Sequence, residues 1–334
     1  MARPVISIIM PVYNGERFLA DAVNSIRAQT YGNFEFLIVD DGSTDDTAQI
    51  VHSVKDPRIR YFHRQPHEGA SAARNFALAQ ARGIYLTGMD ADDVSLPDRL
   101  ERQVAFLESR PSVGLVACGW ETIDEHGRPL FTYSSENDRA PINSEIDWQP
   151  CLLGATYFFR TECINKVGVY RAGFDMNEDW DLCVRIGEAY DIGILGGVSY
   201  QYREHSLAAC SKKVAKNIRS IILVRRLASE RRQRGADRLS TLSEAKMRRL
   251  LRLYFHSYDR YESAARPLRY FQLAHRILKN GGNWNGAARY LFKGIACNPL
   301  RLHTIKLTVR FLLDKQELKR LGRPPTVPSR HRAC

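Results

Sequence analysis

The chain reads as an α/β protein, a mostly parallel sheet with helices on both faces, followed by a basic α-helical C-terminal region. Three observations carry this. Short apolar runs alternate with helix-period stretches through the first hundred residues, a pattern that yields parallel strands joined by right-handed crossovers. Acidic clusters follow two of the runs directly, which places them at the carboxyl edge of the sheet, where open α/β folds bind ligands. Charge also divides the chain. Residues 211–334 hold 30 Lys plus Arg against 7 Asp plus Glu, a net of +23, and subtraction from 49 and 37 leaves 19 against 30, a net of −11, in residues 1–210.

Taken in order, residues 4–10 form a nearly continuous apolar strand, and Pro11 to Gly15 read as a turn. Leu19, Ala22, Val23 and Ile26 recur at helical spacing. Residues 34–39 predict the second strand, and the 40–47 turn behind it offers Ser43 or Thr44 as the cap of another helix. Residues 59–62 predict a third strand, 69–78 a small-residue helix able to pack closely on the sheet, and 84–89 a fourth strand ending in Asp90, Asp92 and Asp93. Ser95, Pro97 and the Leu100, Val104, Leu107 spacing announce a helix.

From 113 the pattern is strand-like and mixed, with runs at 113–120 and 130–133 around a turn at 126–129. Residues 134–149 are polar and irregular, a mobile loop by pattern. The acidic cluster at 173–185 opens a helix whose N-terminal dipole favours ionised carboxylates, and 192–202 reads as strand, ending in Tyr202-Arg203-Glu204-His205. Beyond 211, Met247, Leu250, Leu251, Tyr254, Tyr258 and Tyr261 make one apolar helical stripe, and Ala287, Tyr290, Leu291 and Ile295 another. Gly281-Gly282 separates the two stripes, and Asn298-Pro299 ends the second. The domains expected are therefore 1–210, a basic helical 211–322, and a disordered tail at 323–334.

No run approaches the roughly 18 apolar residues of a spanning helix, and Pro4 interrupts the N-terminal apolar stretch. The expectation is a cytoplasmic protein with neither signal peptide nor spanning helix, whose basic rear either docks on the inner face of an anionic membrane or is the solvated face of helices that complete the fold. Seven cysteines, at 118, 151, 163, 183, 210, 297 and 334, form no CxxC pair and no zinc spacing, so reduced thiols are expected. No GxGxxG follows the first strand, which removes the dinucleotide fingerprint. Tyr13 and the exposed backbone of that loop suit a base better than a pyrophosphate.

Three carboxylates at one strand end repel one another unless something positive joins them. A hard divalent cation is a natural partner, since Mg²⁺ is held through one or two carboxylates, water and substrate phosphate. Asp as a turn former or helix cap is the plainer alternative.

Four separated motifs stand together: Pro11-Val12-Tyr13-Asn14, Val39-Asp40-Asp41-Gly42-Ser43, Asp90-Ala91-Asp92-Asp93 and Glu178-Asp179-Trp180-Asp181, with Gly69 to Asn75 between the second and third. In order and spacing they resemble family 2 glycosyltransferases over roughly residues 5–205. The resemblance implies the GT-A fold, which is Rossmann-like, and inverting transfer from a nucleotide-diphosphate sugar with Mn²⁺ or Mg²⁺. It implies that Pro11, Tyr13 and Asp41 hold the base, Tyr13 by its ring face and Asp41 by accepting from uracil N3. Arg74 then lies near the base or phosphates, Asp90 towards the ribose, Asp92 on the metal, and Asp179 is the general base. Glu178, Trp180, Arg203 and His205 fall on the acceptor or diphosphate side. A helix N-cap remains the alternative for Asp179, and an ordinary strand-end pair for Arg203 and His205.

The implied partners are a UDP-linked donor and a hydroxyl of a glycan or lipid-linked acceptor in cell-surface polysaccharide synthesis, with an anionic membrane surface meeting the basic rear. Three rival readings fit less well. A phosphatase with Asp nucleophiles leaves Tyr13, Asp41 and the Glu178-Asp179 pair without tasks. A nucleic-acid-binding protein, suggested by a pI near 9.5, finds its basic residues away from the sheet half and no zinc-finger, RRM or KH signature, so no nucleic acid is expected. A nucleotide-sugar-binding module without transfer has no use for Asp179.

Overall fold

The computed structural model describes residues 4–143, 152–174, 176–205 and 214–256. Nine strands form one sheet: β1 (Ile6–Val12), β2 (Phe34–Asp40), β3 (Ile59–His63), β4 (Tyr85–Gly88), β5 (Val94–Ser95), β6 (Val113–Asp124), β7 (Pro129–Tyr133), β8 (Phe158–Arg160) and β9 (Asp191–Glu204). Their spatial order is β3-β2-β1-β4-β8-β6-β9-β5, with β7 on β6. The β3-β2-β1-β4 block is parallel throughout, and so is the long β6–β9 ladder. β8 joins the two blocks by antiparallel pairing to both β4 and β6.

The near-continuous apolar runs of β1 and β2 follow from burial on both faces. Ile6, Ile8 and Met10 face one core with Phe36 and Ile38, while Ile9 faces the other with Leu37 and Val39. The first core is closed by α1 (Leu19–Arg27) and α4 (Arg99–Glu108), through Leu19, Val23, Ile26, Leu100, Val104 and Leu107. On the other face lies α3 (Ala70–Gln80), whose buried Ala73 and Ala77 allow the close approach its composition predicts. α2 (Thr47–Ser53) follows β2, and α5 (Thr161–Val167) and α6 (Glu178–Gly187) follow β8.

Several boundaries differ from the sequence reading, each for a local reason. β1 continues through Pro11 and Val12, placed by sequence in a turn. Its pairing with β4 ends at Ile9, so the missing N–H of Pro11 costs that ladder nothing. α2 begins at Thr47 rather than behind Ser43 or Thr44, because Asn14 claims both: its N–H donates to Ser43 Oγ and its Oδ1 accepts from the Thr44 N–H, each at 2.9 Å. Ile84 lies outside β4 and is half exposed. β6 extends four residues past the expected run, to Asp124, and β5 is an unpredicted two-residue strand on β9.

Helices α7 (Val214–Arg234) and α8 (Glu244–His256) are helical as expected, and they belong to the core. Val224, Leu227, Ala228, Leu239 and Leu251 are buried with Trp180, Leu182 and Ile186 of α6. A buried ionic chain accompanies them: Arg171 bridges Asp181 (3.2 Å) and Asp237 (2.6 Å), Arg185 pairs with Asp181 (3.0 Å), and Arg231 with Asp237 (2.5 Å). The compact unit runs from Met1 to Ser263, past the compositional boundary at 210, and residues 264–334 form a second unit. That second unit lies outside the described residues, as do residues 144–149 of the loop expected at 134–149, Tyr258, Tyr261, the 287–295 stripe and the tail. Among the described residues, no helix is long and apolar enough to cross a membrane, Cys118 and Cys163 are buried free thiols, and Cys183 is buried.

Candidate active site

The carboxyl ends of β1 and β2 build the first wall. Two adjacent acids leave β2 with opposite duties. Asp40 is fully buried and accepts from the Ser43 N–H (2.8 Å) and the Tyr61 hydroxyl (2.5 Å), with His63 at 3.3 Å. Burial pushes its carboxyl up, but these hydrogen bonds outweigh it and the net shift is downward. It fixes the turn. Asp41 is also buried, and its Oδ2 accepts from the Gly69 N–H (2.7 Å) and Glu68 N–H (3.1 Å) and lies 2.8 Å from His67 Nδ1. Its Oδ1 is buried without a hydrogen-bond partner. Tyr13, half exposed, stacks on His67 at 4.1 Å, so one ring face is covered and the other is turned away from the stack. His67 carries no signal in sequence, being a lone histidine in a loop.

The second wall is the Asp90-Ala91-Asp92-Asp93 turn after β4, and its three carboxylates diverge to three partners. Asp90 accepts from Arg74 Nη2 at 3.0 Å. Asp92 Oδ2 lies 2.9 Å from His205 Nε2. Asp93 is fully buried, accepting from the Tyr200 hydroxyl (2.9 Å) and the Arg203 N–H (2.7 Å). Burial, followed by the charges of Asp92 and Asp90, raises Asp93 well above the ordinary carboxylate range. Asp93 thus rivets the turn to the end of β9, while Asp90 and Asp92 remain about a third exposed, at 34% and 35% of their side chains.

The third wall is the first turn of α6. Its N-cap is Asn177, in the left-handed conformation. Asp179 lies two residues inside, which sets aside the N-cap alternative for it. Arg74 is the link between walls, donating to Asp90 and also to Glu178. Although burial works against its charge, Glu178 and Asp90 hold the guanidinium firmly protonated. Asp179 Oδ1 accepts from the Trp180 N–H at 2.7 Å. Its carboxyl is pushed up to about 7 by burial first and then by Glu178, against the opposing pull of Arg74 and that N–H. The helix dipole, expected to keep it ionised, is outweighed. Asp90 is raised as well, by burial and by the charges of Asp92 and Glu178, against Arg74.

Arg74, Asp90, Glu178 and Asp179 are therefore in one electrostatic group, with Asp92 and His205 beside it. Two other residues sit apart. Arg203 is 5% exposed beneath the turn, donating to the Asp92 carbonyl (2.8 Å) and pairing with Asp21 (3.4 Å). Trp180 is in the core under α7, lining a separate cavity of about 190 Å³ with Val184, Val224 and Arg225. Pro11 lies at the end of β1 opposite Val39.

Among the described residues, no three His, Cys, Asp or Glu converge on a preformed cation site. The donors present nonetheless fit a hard divalent ion that keeps substrate and water in its shell. Asp92 and Asp90 offer partly exposed carboxylate oxygens at a strand end, and the buried His205 behind Asp92 has an Nδ1 without a partner.

Residues 7–167, just under half of the chain, match the model of the family described as "Glycosyl transferase family 2". An uncharacterized glycosyltransferase of Rickettsia felis is 31% identical over 220 residues, 64% of this chain and 36% of that protein. The putative glycosyltransferase EpsE of Bacillus subtilis is 39% identical over 127 residues, 37% of this chain and 46% of that protein. The chain thus spans less than half of the length of either relative. In fold, S. aureus TarS solved in complex with UDP-GlcNAc matches with a TM-score of 0.55 at 20% identity, over 96% of this chain and 93% of that one. A mannosyltransferase of Pyrobaculum calidifontis, solved with GDP-Man and Mn²⁺, matches with a TM-score of 0.51 at 21% identity, over 95% and 88%. At these identities the likeness is one of fold, and the fold is GT-A.

Proposed function

We propose that the chain, whose residues 7–167 match the glycosyl transferase family 2 model, is an inverting glycosyltransferase, moving a sugar from a nucleotide-diphosphate donor to an acceptor hydroxyl. The observation that carries this is the Arg74 bridge. By holding Asp90 and Glu178 at once, it supports a single cleft in which the Asp92 edge faces donor phosphates and Asp179 faces the acceptor.

Asp179 takes the proton of the acceptor hydroxyl. A carboxylate whose pKa is about 7 suits a base working near neutral pH. One carboxylate suffices, since inversion is a single in-line displacement. Asp41 Oδ1, buried with no hydrogen-bond partner and with Arg64 Nη1 3.7 Å away, accepts an imide N–H of the base, and the open face of Tyr13 stacks on the ring. Uridine offers that N–H at N3, and TarS, of like fold, was solved with UDP-GlcNAc. Pro11 closes the base side and Asp90 faces the ribose. Asp92, with His205 behind it, holds Mn²⁺ or Mg²⁺, which supplies Lewis-acid stabilisation of the leaving diphosphate when bound. His205 and Arg203 keep the Asp92 turn in place on the diphosphate side.

The acceptor is a hydroxyl of a glycan or lipid-linked chain in cell-surface polysaccharide synthesis, presented at an anionic membrane. The net charge of +23 over residues 211–334 supports this, since each basic residue near such a surface contributes on the order of 1 kcal/mol. Two measurements test the proposal. Calorimetry of UDP with Mn²⁺, then a screen of UDP-sugars for slow hydrolysis, should give binding and turnover that excess chelator abolishes; unchanged turnover in chelator removes the metal from the reaction. Co-sedimentation at moderate salt should pellet the protein with anionic but not neutral vesicles, and no pelleting removes the membrane.

A further inference from the structure

The short 3₁₀ turn Gly154–Thr156, which leads into β8, is held from several sides. Arg99, fully buried, donates to the Ala155 carbonyl (2.8 Å) and to Thr87 Oγ1 (2.7 Å) at the end of β4. Gln103 donates to the Thr156 carbonyl (2.9 Å), and Thr156 Oγ1 to the Leu153 carbonyl (2.6 Å). Gly154 does not have a positive φ, so its backbone would accept an L side chain. Space is what forbids one. A Cβ built on Gly154 overlaps Asp179, and its three nearest atoms are the Oδ2, Cγ and Cβ of that residue.

We propose that Gly154 is a positioning residue for Asp179: its missing side chain is the space the carboxylate occupies, and a larger residue there turns the carboxylate out of line with the acceptor. The inference rests on the reading of Asp179 as base. Of the two groups that would collide, the turn is pinned by Arg99, Gln103 and Thr156, whereas Asp179 is a short side chain with two rotatable bonds. Rotation of that side chain clears Oδ2 and Cγ, but its Cβ, 2.7 Å from the built one, moves only with the α6 backbone, so the first turn of α6 gives way and carries the carboxylate with it. The base and nucleotide walls at Asp41 and Asp92 lie on other elements and are left in place.

The test is Gly154→Ala in the full chain, beside Asp179→Asn. The expected result is a fall in kcat of about a hundredfold, the scale of a 1 Å misplacement, with the donor KM and the affinity for UDP with Mn²⁺ unchanged. Wild-type kcat in Gly154→Ala while Asp179→Asn is inactive overturns this inference alone, as does a change confined to KM. An active Asp179→Asn overturns the base reading itself. A double-mutant cycle with Asp179→Gly adds a readout independent of turnover. The loss of Tm caused by Gly154→Ala should largely vanish once the Asp179 side chain is removed, and an equal loss in both backgrounds overturns the proposal. Should Gly154→Ala not fold, folding of the double variant supports the collision with Asp179, and failure of both overturns it.

Discussion

Asp179 shows how a setting lifts an ordinary acid towards neutrality, which suits the base role proposed for it. Burial and the neighbouring Glu178 hold its carboxyl at about 7. Turnover should therefore rise about tenfold per pH unit below that value and level off above it. The same shift costs stability, and its sign is fixed. The folded-state pKa lies above the ordinary value of 3.8, so between these two values the folded chain retains a proton that the unfolded chain releases. The cost is absent below about 3.8, grows as pH rises between the two values and is complete above about 7, so stability is lost as pH rises through 7. Asp179→Asn should bind UDP with Mn²⁺ as the parent does, transfer sugar at least a thousandfold more slowly, and melt at higher temperature than the parent at pH 8. Comparable turnover in calorimetrically competent Asp179→Asn removes this residue from the base role. At this scale the sequence was legible as acids at strand ends: Asp90, Asp92 and Asp93 stand together after one apolar run, and Asp41 and Asp179 enter through the ordered motifs that resemble family 2 glycosyltransferases. His67 carries no such signal. Three aspartates within four positions look alike in sequence, and which one turns inward is decided by Tyr200 and Arg203, more than a hundred residues away.

Between elements, the end of β9 is what fixes the acidic turn. Tyr200 donates to Asp93 (2.9 Å) and lies 3.4 Å from the Asp90 N–H, and the Arg203 N–H donates to Asp93 (2.7 Å). The pairing of β5 with β9, Val94 opposite Gln201 and Ser95 opposite Tyr200, follows immediately. Tyr200→Phe keeps the ring and removes the hydroxyl, leaving a buried carboxyl short of one donor. A loss of about 1–3 kcal/mol in denaturant unfolding is expected, together with weaker donor binding because the Asp92 turn loosens. Unchanged stability in that variant shows that Asp93 is anchored by the backbone alone. The βα alternation of the first four strands was readable because each strand there spans four to seven residues, and β1 and β2 are dominated by buried apolar side chains. β5 was not, since two residues have no periodicity. The start of α2 moved for a related reason: Ser43 and Thr44 have the chemistry of caps, but Asn14, thirty residues earlier, competes for them.

For the molecule as a whole, the question is where the catalytic unit ends. Composition puts a boundary at 210, because charge changes sign there, yet composition reports on solvent-facing residues and says little about packing. The basic helices α7 and α8, with the turn between them, expose arginines and bury Val224, Leu227, Leu239 and Leu251 with Trp180 and its neighbours on α6. Burying each such side chain contributes about 1.5–3 kcal/mol. Removing the four sacrifices roughly 6–12 kcal/mol, comparable with the whole stability of about 5–15 kcal/mol of a typical domain. The ionic chain adds to this, because losing Asp237 leaves the buried Arg171 with Asp181 alone, and breaking a buried pair costs about 3–5 kcal/mol. A chain cut after residue 210 should therefore lack a cooperative unfolding transition and fail to bind UDP with Mn²⁺. A chain cut after Ser263 retains these contacts and should keep both. Since α6 carries Asp179 at one end and Trp180 in this shared core, the helices beyond 210 help to hold the carboxylate proposed as the base. A cooperative melt from the shorter chain would place the catalytic unit's end at the change in charge and leave α7 and α8 as an appendage.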